Sequence, residues 1–265
     1  MHEYLGMFIT TFAGTKERYK PIKKETTAKK KTHPLKTIKI LCRNKYFILI
    51  TLAFAVIYTS LGLTGGSRIY YAKYVLGDEM LNSTMTMFNY IPTILTIMLI
   101  PVFTKRFGKI KALFVGFLFY AAGLVLEIAG PVNLPMIYTG LVLQGIGHAA
   151  LYSCLFAIVG DVVDYSEWKD GIREEGITYS VTSFGQKIGT GLGTAALGWI
   201  LAAGHYDGTA AVQSASAIFA IKGLFLYLPL VITVIVLIIW YLFMGIDKIY
   251  PTVRKELDER REKAE

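Results

Sequence analysis

The sequence predicts an all-α membrane protein with six transmembrane helices. Of its 265 residues, 54% are hydrophobic, and long stretches contain no Asp, Glu, Lys or Arg. These uncharged stretches are residues 46–67, 81–104, 128–160 and 223–246. Each is long enough to cross a hydrocarbon core of about 30 Å as a helix. None shows the short alternating strands of a membrane β-barrel, so the spans are predicted to be helical.

The positive charge lies mostly on one predicted side of the membrane. The net charge is +9, and 12 of the 28 Lys and Arg residues fall between Lys16 and Lys45. With six spans, both chain ends lie on the same side of the membrane, together with most of the basic residues. Only Arg68 and Lys73 are assigned to the other side. This asymmetry predicts a multi-pass protein of the cell membrane with cytoplasmic N- and C-termini. Because the charge follows the loops and the tail, it argues against a nucleic-acid partner.

The chain divides into three predicted parts. Residues 1–45 are the end of a preceding helix and a basic cytoplasmic linker, residues 46–246 are the transmembrane bundle, and residues 247–265 are a charged cytoplasmic tail. The predicted spans are residues 46–63, 83–103, 110–129, 134–159, 177–203 and 219–244. The first is expected to continue past Gly65 and Gly66 towards residue 76, because the sequence there stays aromatic and helical in pattern.

No catalytic or cofactor-binding motif interrupts this pattern. The sequence lacks a phosphate-binding loop, an HExxH motif and a nucleophile elbow. Its two cysteines, Cys42 and Cys154, do not have the spacing of metal ligands. We therefore expect a protein that is not an enzyme and that holds no cofactor or metal.

One lysine stands inside the fifth predicted span. Lys187 is the single charge between residues 177 and 203, and it lies about 15 Å along a helix that rises ~1.5 Å per residue. A lysine near the bilayer midplane costs about 2.5–3.5 kcal/mol on insertion scales and indicates a functional role. The alternative is a lysine that extends its amine to the interface, which requires a position closer to a helix end.

The two faces of this span differ. Gly185, Gly189 and Gly193 recur every four residues, and such a stripe of small residues predicts close packing on another helix. Position 187 lies about 160° around the helix from that stripe. The residues on or near the opposite face are Tyr179, Ser180, Ser183 and Lys187. One face is thus predicted to pack, and the other to line an aqueous or substrate-filled cavity.

A second polar stripe lies in the fourth predicted span. Gln144, His148 and Tyr152 recur every four residues in an otherwise apolar helix. These side chains could hold helices together by hydrogen bonds, or they could line a pathway. Their register, beside a helix that carries Lys187, favours the pathway. Aromatic faces and hydrogen-bonding side chains suit a sugar, which presents apolar C–H faces and hydroxyl groups.

Lys187 lacks an acidic partner in the predicted spans. Glu127 is the only acid there, and it lies at the far end of its own helix. A buried ammonium group needs a carboxylate nearby. We therefore expect the partner to come from a loop, from another chain or from a part of the protein outside this sequence.

Two motifs resemble a known transporter family. Residues 161–176 read DVVDYSEWKDGIREEG, and residues 179–193 read YSVTSFGQKIGTGLG. Both are similar to segments of the glycoside–pentoside–hexuronide:cation symporters, the melibiose permease-like family of the major facilitator superfamily. FAGTKER at residues 12–18 resembles the start of that family's central cytoplasmic loop, and Asn44 and Lys45 resemble the entry to its seventh helix. The resemblance implies that the six spans are helices 7–12, the C-terminal half of such a transporter.

The resemblance also implies roles for individual residues. Lys187 matches a lysine implicated in cation coupling, and Ser183 matches a hydroxyl position at the substrate site. Tyr152 stands where the melibiose permease has a cavity-lining tryptophan, so an aromatic ring is kept but its identity differs. The acidic loop after the fourth span resembles a segment that closes the cytoplasmic gate. The gate candidates are Asp161, Asp164 and Arg173.

The family's cation-binding carboxylates belong to its first six helices, which this sequence does not contain. Transport sites in this superfamily form between two halves. We therefore expect symport of a sugar or glycoside with Na⁺ or H⁺, with a complementary six-helix N-terminal half as partner. That half would hold most of the ion site, and it would be supplied by another chain or by the other part of a split gene.

Other functions remain open from the sequence alone. The chain could be an inactive half-transporter whose helices persist without transport, or a lipid or amphiphile transporter on the same scaffold. A lipid cargo would favour a wide apolar cavity over the polar stripes. The sugar, the choice between Na⁺ and H⁺, and a homo-oligomeric arrangement are also open.

Overall fold

The structure is a computed structural model, and it describes Gly14 and residues 40–262, apart from Ile172 and Ala211. Nearly all of the predicted linker, residues 1–45, lies outside the described residues. The regular elements described here are helical. They are α1 Lys45–Tyr74, α2 Leu81–Ile97, α3 Ile100–Phe107, α4 Lys109–Ala129, α5 Leu134–Asp170, α6 Glu175–Ala203, α7 Ala215–Lys222, a π-helical turn Gly223–Tyr227, α8 Leu228–Phe243 and α9 Gly245–Glu262.

The number of spans differs from the prediction of six. Four described stretches are long and apolar enough to cross a membrane: α1, α4, α5 and the stretch from Ala215 to Arg260. Helices α2 and α3 qualify together as a fifth, bent span. Helix α6 is 29 residues long but is not among them. Its many Gly, Ser and Thr residues, together with Lys187, lower its hydropathy below that of the four qualifying stretches.

Helix α1 confirms the predicted continuation beyond residue 63. It begins where the side chain of Asn44 accepts a hydrogen bond from the backbone N–H of Tyr46 at 2.9 Å, as an N-cap residue does. It then runs for 30 residues through Gly65 and Gly66 and ends at Tyr74. Packing on neighbouring helices thus overrides the weak helix propensity of the two glycines.

The predicted second span, residues 83–103, is broken in two. Helix α2 ends at Ile97, and α3 begins at Ile100, at an angle of 56° to α2. Pro101 lies in the first turn of α3. A proline has no N–H to donate to the carbonyl four residues earlier, and its ring clashes with that carbonyl. The helix therefore stops near Ile97 and restarts around the proline.

The acidic segment is a helix rather than the loop predicted from the sequence. Helix α5 continues through it to Asp170, over 37 residues, or about 56 Å at ~1.5 Å per residue. It ends at Gly171, whose φ of 67° is readily adopted by glycine. Helix α6 begins four residues later, at Glu175. The charged turns of α5 thus extend beyond a hydrocarbon core of about 30 Å.

The main helix contacts are those between α1 and α6 and those that α5 makes with its neighbours. Helix α1 packs along α6, and α5 packs against both α4 and α2, while α8 contacts α1 and α4. The fully buried core of these contacts includes Phe54, Leu113, Ile158 and Trp240. At the crossing of α4 and α5, a Cβ on Gly116 would meet the Cβ of Ala150 at 2.8 Å. Such close approach gives membrane helices their packing energy, since lipid is as apolar as the side chains.

Contacts between helix ends assign each end to one of two sides. On one side, Nδ2 of Asn44 donates to Oγ of Ser166 at 2.9 Å, which joins the start of α1 to the end of α5. On the other side, the hydroxyls of Tyr74 and Tyr206 lie 3.0 Å apart, which joins the end of α1 to the segment after α6. The basic turn between α3 and α4, the acidic end of α5 and helix α9 lie on the first side.

Candidate functional site

An open groove of about 410 Å³ runs along the exposed face of α6. Its lining residues are Tyr179, Ser180, Ser183, Phe184 and Lys187. Residues 179, 183 and 187 line up because positions four apart lie on one face of a helix. The groove therefore combines two serine hydroxyls, a phenylalanine ring, a tyrosine ring with its own hydroxyl, and one cation. A larger groove of about 450 Å³ on α9 contains none of the predicted site residues.

The opposite face of α6 lies against α1. Gly185, Gly189 and Gly193 are all buried. A Cβ on Gly189 would collide with the backbone carbonyl oxygen of Ala55 and would meet the backbone nitrogen of Thr59 at 3.1 Å. The glycine stripe thus brings the two backbones together, and this contact orients the groove away from α1.

Lys187 is exposed in the groove. Among the residues that the structure describes, no carboxylate forms an ion pair with it. Its ammonium group therefore takes no part in the ion pairs of the described chain. The ammonium group of Lys187 is thus available to a ligand or a protein that covers the groove.

Aromatic side chains of three helices lie beside the groove. The hydroxyl of Tyr179 donates to the backbone carbonyl of Phe156 on α5 at 3.5 Å. The ring of Phe156 meets that of Phe54 on α1 edge to face, with centroids 5.1 Å apart. Phe54 in turn stacks on Tyr58 at 5.9 Å. This cluster fixes the relative positions of α1, α5 and α6 around the groove.

The predicted polar stripe on α5 is divided between surface and interior. Tyr152 is 46% exposed, and its ring lies 5.8 Å from that of half-buried His148. Nδ1 of His148 lies 3.4 Å from Oδ1 of Asn89 on α2. Gln144 differs, because it is only 5% exposed and its Nε2 donates to Oε1 of Glu127 at 2.7 Å. Tyr152 and His148 therefore remain near the exposed surface, whereas Gln144 joins α5 to α4.

Two of the three gate candidates lie in one ion-pair cluster. Nη1 of Arg173 donates to Oδ1 of Asp164 at 2.9 Å and to Oε2 of Glu167 at 2.6 Å. The guanidinium also binds Glu175 at the start of α6. Burial works against the charge of Arg173, but its hydrogen bonds to Glu167, Glu175 and Asp164 outweigh burial and raise its pKa. Arg173 thus stays charged and joins the end of α5 to the start of α6.

The third gate candidate, Asp161, has a different partner. Both of its carboxylate oxygens accept hydrogen bonds from Nζ of Lys109 on α4, at 2.7 and 2.9 Å. Asp161 is only 6% exposed, whereas Lys109 is partly exposed, so the carboxylate is the partner shielded from water. Tyr250 of α9 lies between the two clusters. Its hydroxyl donates to Oδ2 of Asp164 at 2.9 Å, and its ring lies 5.5 Å from Nζ of Lys109.

Sequence reasoning missed Asp247, which holds the start of α4. Its Oδ2 accepts hydrogen bonds from the backbone N–H groups of Ile110 and Lys111, at 3.2 and 3.3 Å. These are N-terminal N–H groups that have no partner inside their own helix. The residue before α4 is Gly108, which has no side chain to cap them. Gly108 was therefore a signal in the sequence that a side chain from elsewhere in the chain would have to cap the start of α4.

The sequence matches the model of one protein family over most of its length. The model of the family described as "MFS/sugar transport protein" matches residues 4–248. The isoprimeverose transporter of Lactiplantibacillus pentosus is 32% identical over 260 residues, which are 96% of this chain and 52% of the relative. A putative 2,3-dihydroxypropane-1-sulfonate exporter of Salmonella typhimurium is 29% identical, over 94% of this chain and 54% of the relative.

A third relative is the glucuronide carrier protein homolog of Escherichia coli. It is 26% identical over 227 residues, which are 85% of this chain and 50% of the relative. The chain thus spans about half the length of the curated relatives it matches.

Proposed function

The chain belongs to the MFS/sugar transport protein family, and from this premise we propose that it is the C-terminal half of a secondary active symporter for a sugar or glycoside. In this proposal, α1, the bent pair α2–α3, α4, α5, α6 and the α7–α8 stretch are helices 7–12. The coupling ion is Na⁺ or H⁺. The named relatives support transport of sugars and related small polar molecules by proteins of this kind.

The observation that carries the proposal is the groove on α6. It places Lys187 beside the hydroxyls of Ser180 and Ser183 and the rings of Tyr179 and Phe184. Sugar recognition requires hydrogen-bonding groups and apolar surfaces at close range. The adjacent exposed ring of Tyr152 on α5 supplies a further apolar surface.

The open face of the groove is where a complementary half would bind. In transporters built from two six-helix halves, substrate and ion sites form near the midplane between the halves. A carboxylate of that half would pair with Lys187, which has no such partner in the described part of this chain. The other half could belong to the same longer polypeptide or to a separate chain.

The charged side of the bundle suits a cytoplasmic gate. Asp161, Asp164 and Arg173 connect the ends of α4, α5 and α6 through ion pairs. These helix ends must separate or tilt when a transporter opens on that side. The basic residues on this side favour a cytoplasmic location for both termini in the cell membrane.

A second role for Lys187 follows from its lack of an acidic partner in the described chain. A free ammonium in a hydroxyl-lined groove can bind an anionic cargo directly, and two of the relatives are named for a glucuronide and a sulfonate. In that case Lys187 would recognise the cargo rather than act in cation coupling.

Uptake by reassembled halves tests the proposal. Cells without endogenous glycoside uptake would express this chain, a complementary six-helix half, or both. That half would be the one encoded beside this sequence or, failing that, the N-terminal half of the isoprimeverose transporter. We expect uptake of labelled isoprimeverose or of a labelled glucuronide only when both halves are present, because the site lies between them.

Membrane insertion is measured in parallel by fractionation. Uptake by this chain alone would contradict the two-half proposal. Absence of uptake from well-inserted pairs, including a single polypeptide that joins them, would favour the inactive half-transporter. Transfer of labelled phospholipid without glycoside uptake would favour the lipid transporter.

A further inference from the structure

A buried carboxyl group lies away from the groove on α6. Glu127 of α4 has no exposed surface. Its Oε1 accepts the hydrogen bond from Nε2 of Gln144. Its Oε2 is buried and has no hydrogen-bond partner among the described residues. One oxygen is therefore held by a donor while the other is free to carry a ligand as small as a proton.

The neighbouring backbone of α5 leaves space for the side chain of Glu127. Gly140 of α5 lies directly opposite, and a Cβ there would meet Cγ of Glu127 at 2.6 Å and its Oε1 at 3.0 Å. Any larger residue at position 140 would displace the carboxyl group. Glu127 is thus a fitted component of the α4–α5 crossing, and its carboxyl group has a defined position.

The groups that face Glu127 do not neutralise a negative charge by direct contact. Arg68 of α1 is the cation whose charge acts on it. The Nη1 of Arg68 donates to Oγ1 of Thr86 at 3.1 Å, and its Nε has no hydrogen-bond partner in the described chain. The buried phenols of Tyr71 on α1 and Tyr120 on α4 lie within range of the charge of Glu127, and they are ordinarily uncharged.

An ionised carboxylate at this position would be buried without a contacting cation. Such a charge is strongly disfavoured inside a bundle that crosses hydrocarbon. The neutral acid avoids this charge, and Gln144 already donates a hydrogen bond to its carbonyl oxygen, Oε1. The contacts of Glu127 therefore favour its protonated form.

We propose that Glu127 is a proton-binding site, present as the neutral carboxylic acid with the proton on Oε2 and with Oε1 hydrogen-bonded to Gln144. The proton is taken from water, and its release leaves the carboxylate. This site is distinct from the Lys187 groove. Any contribution of this proton to coupled transport rests on the proposed function, but the presence of the proton does not.

Access to the site is restricted on one side. The hydroxyl of Tyr71 donates to the carbonyl of Pro131, one turn beyond Glu127. The ring of Tyr71 lies 4.4 Å from that of Phe225, and both residues are buried. Exchange of the Glu127 proton with water from this side therefore requires this contact to open.

Infrared difference spectroscopy tests the site directly. The full chain in lipid vesicles near neutral pH is compared with Glu127→Gln, and the exposed Glu79→Gln serves as the matched control. We expect the wild type to show a carboxylic-acid C=O band that Glu127→Gln lacks and Glu79→Gln keeps. The band should move slowly to lower frequency in D₂O, because the site is closed.

A second variant keeps Glu127 and removes its donor. In Gln144→Leu, the C=O band should shift to higher frequency, since Oε1 loses its hydrogen bond. Circular dichroism checks that each variant folds. The proposal is overturned if wild type minus Glu127→Gln shows only ionised-carboxylate bands, or if Gln144→Leu leaves the acid band unchanged. An acid band without uptake by the reassembled halves would leave the proton site standing and reject the transport proposal.

Discussion

At the scale of single residues, Lys187 is the clearest functional feature. Its position in a 29-residue helix and its exposure in a groove distinguish it from the other lysines. Lys109, by comparison, pairs with Asp161 inside this unit. Lys187 has no carboxylate partner in the described chain, and the two proposed roles, coupling and cargo recognition, lead to different mutant phenotypes.

Lys187→Ala is expected to abolish accumulation of a neutral glycoside by the reassembled halves if Lys187 acts in cation coupling. The loss should be at least about tenfold, equivalent to ~1.4 kcal/mol or more. Concentrative uptake in cells that express both halves measures it, with fractionation to confirm insertion.

The matched control is Lys73→Ala, because Lys73 pairs with Glu79 at the surface. Normal accumulation by Lys187→Ala would contradict the coupling role. Loss of an anionic cargo alone, with a neutral glycoside still accumulated, would instead assign Lys187 to cargo recognition.

At the scale of helices, the four-residue period in α6 gives the helix a packing face and a groove face. The glycines at every fourth position bring α6 against α1, and residues on the other face of the helix form the open groove. The same composition lowers the hydropathy of α6 below that of the four stretches that qualify as spans by themselves. Its place in the bundle depends on contact with α1, because backbone packing replaces the apolar surface that it lacks.

Gly189→Ala is expected to destabilise the bundle, because the new Cβ would collide with the backbone of Ala55. Overpacking of this kind typically costs about 1–3 kcal/mol. Gly191→Ala is the matched control in the same helix, since no atom lies within 4 Å of a Cβ at that position.

Alanine at 191 should be neutral or stabilising by up to ~1 kcal/mol, because it replaces glycine in a helix. Thermal unfolding of the purified chain in detergent measures both variants. Equal melting temperatures would show that the α1–α6 contact can relax at no cost.

Helix α9 is a second element whose role comes from contacts. Asp247 caps α4, Tyr250 binds Asp164, and Nε1 of Trp168 donates to Glu256 at 2.7 Å. The predicted charged tail is thus docked on the ends of α4 and α5. Since those ends carry the gate candidates, any gate movement at those ends would also involve α9.

Asp247→Ala should expose the first N–H groups of α4 and destabilise the chain by about 0.5–2 kcal/mol, the usual cost of losing a capping side chain. Asp247→Asn keeps an acceptor and should retain part of the stability. Lys248→Ala is the control, since Lys248 is exposed on the same helix. Hydrogen–deuterium exchange at residues 109–112 provides the local measurement. Unchanged exchange in Asp247→Ala would rule out the capping role.

At the scale of the whole molecule, the described unit has one charged side, one aromatic side and an open lateral groove. Arg173, Asp161 and Asp247 bind different helices on the charged side. Tyr71, Tyr74 and Tyr206 make contacts on the aromatic side. Ion pairs thus hold the charged side together, while the groove between the two sides stays open.

The sequence by itself determined the class of the protein and much of its local order. Uncharged stretches indicated membrane helices, the four-residue periods predicted the two faces of α6, and the motifs around Asp164 and Lys187 indicated the family. These features are readable because each depends on composition or on spacing within a single helix. The position of Pro101 similarly explains the break between α2 and α3.

Only the tertiary structure decided which of these polar residues meet. Gln144 shares a helical face with His148 and Tyr152, yet it contacts Glu127 on another helix. Asp161 and Asp164, three residues apart, bind Lys109 and Arg173 respectively. Asp247 caps a helix that begins far earlier in the chain. Periodicity specifies the face on which a side chain lies, but the crossing of helices distant in sequence determines what that face contacts.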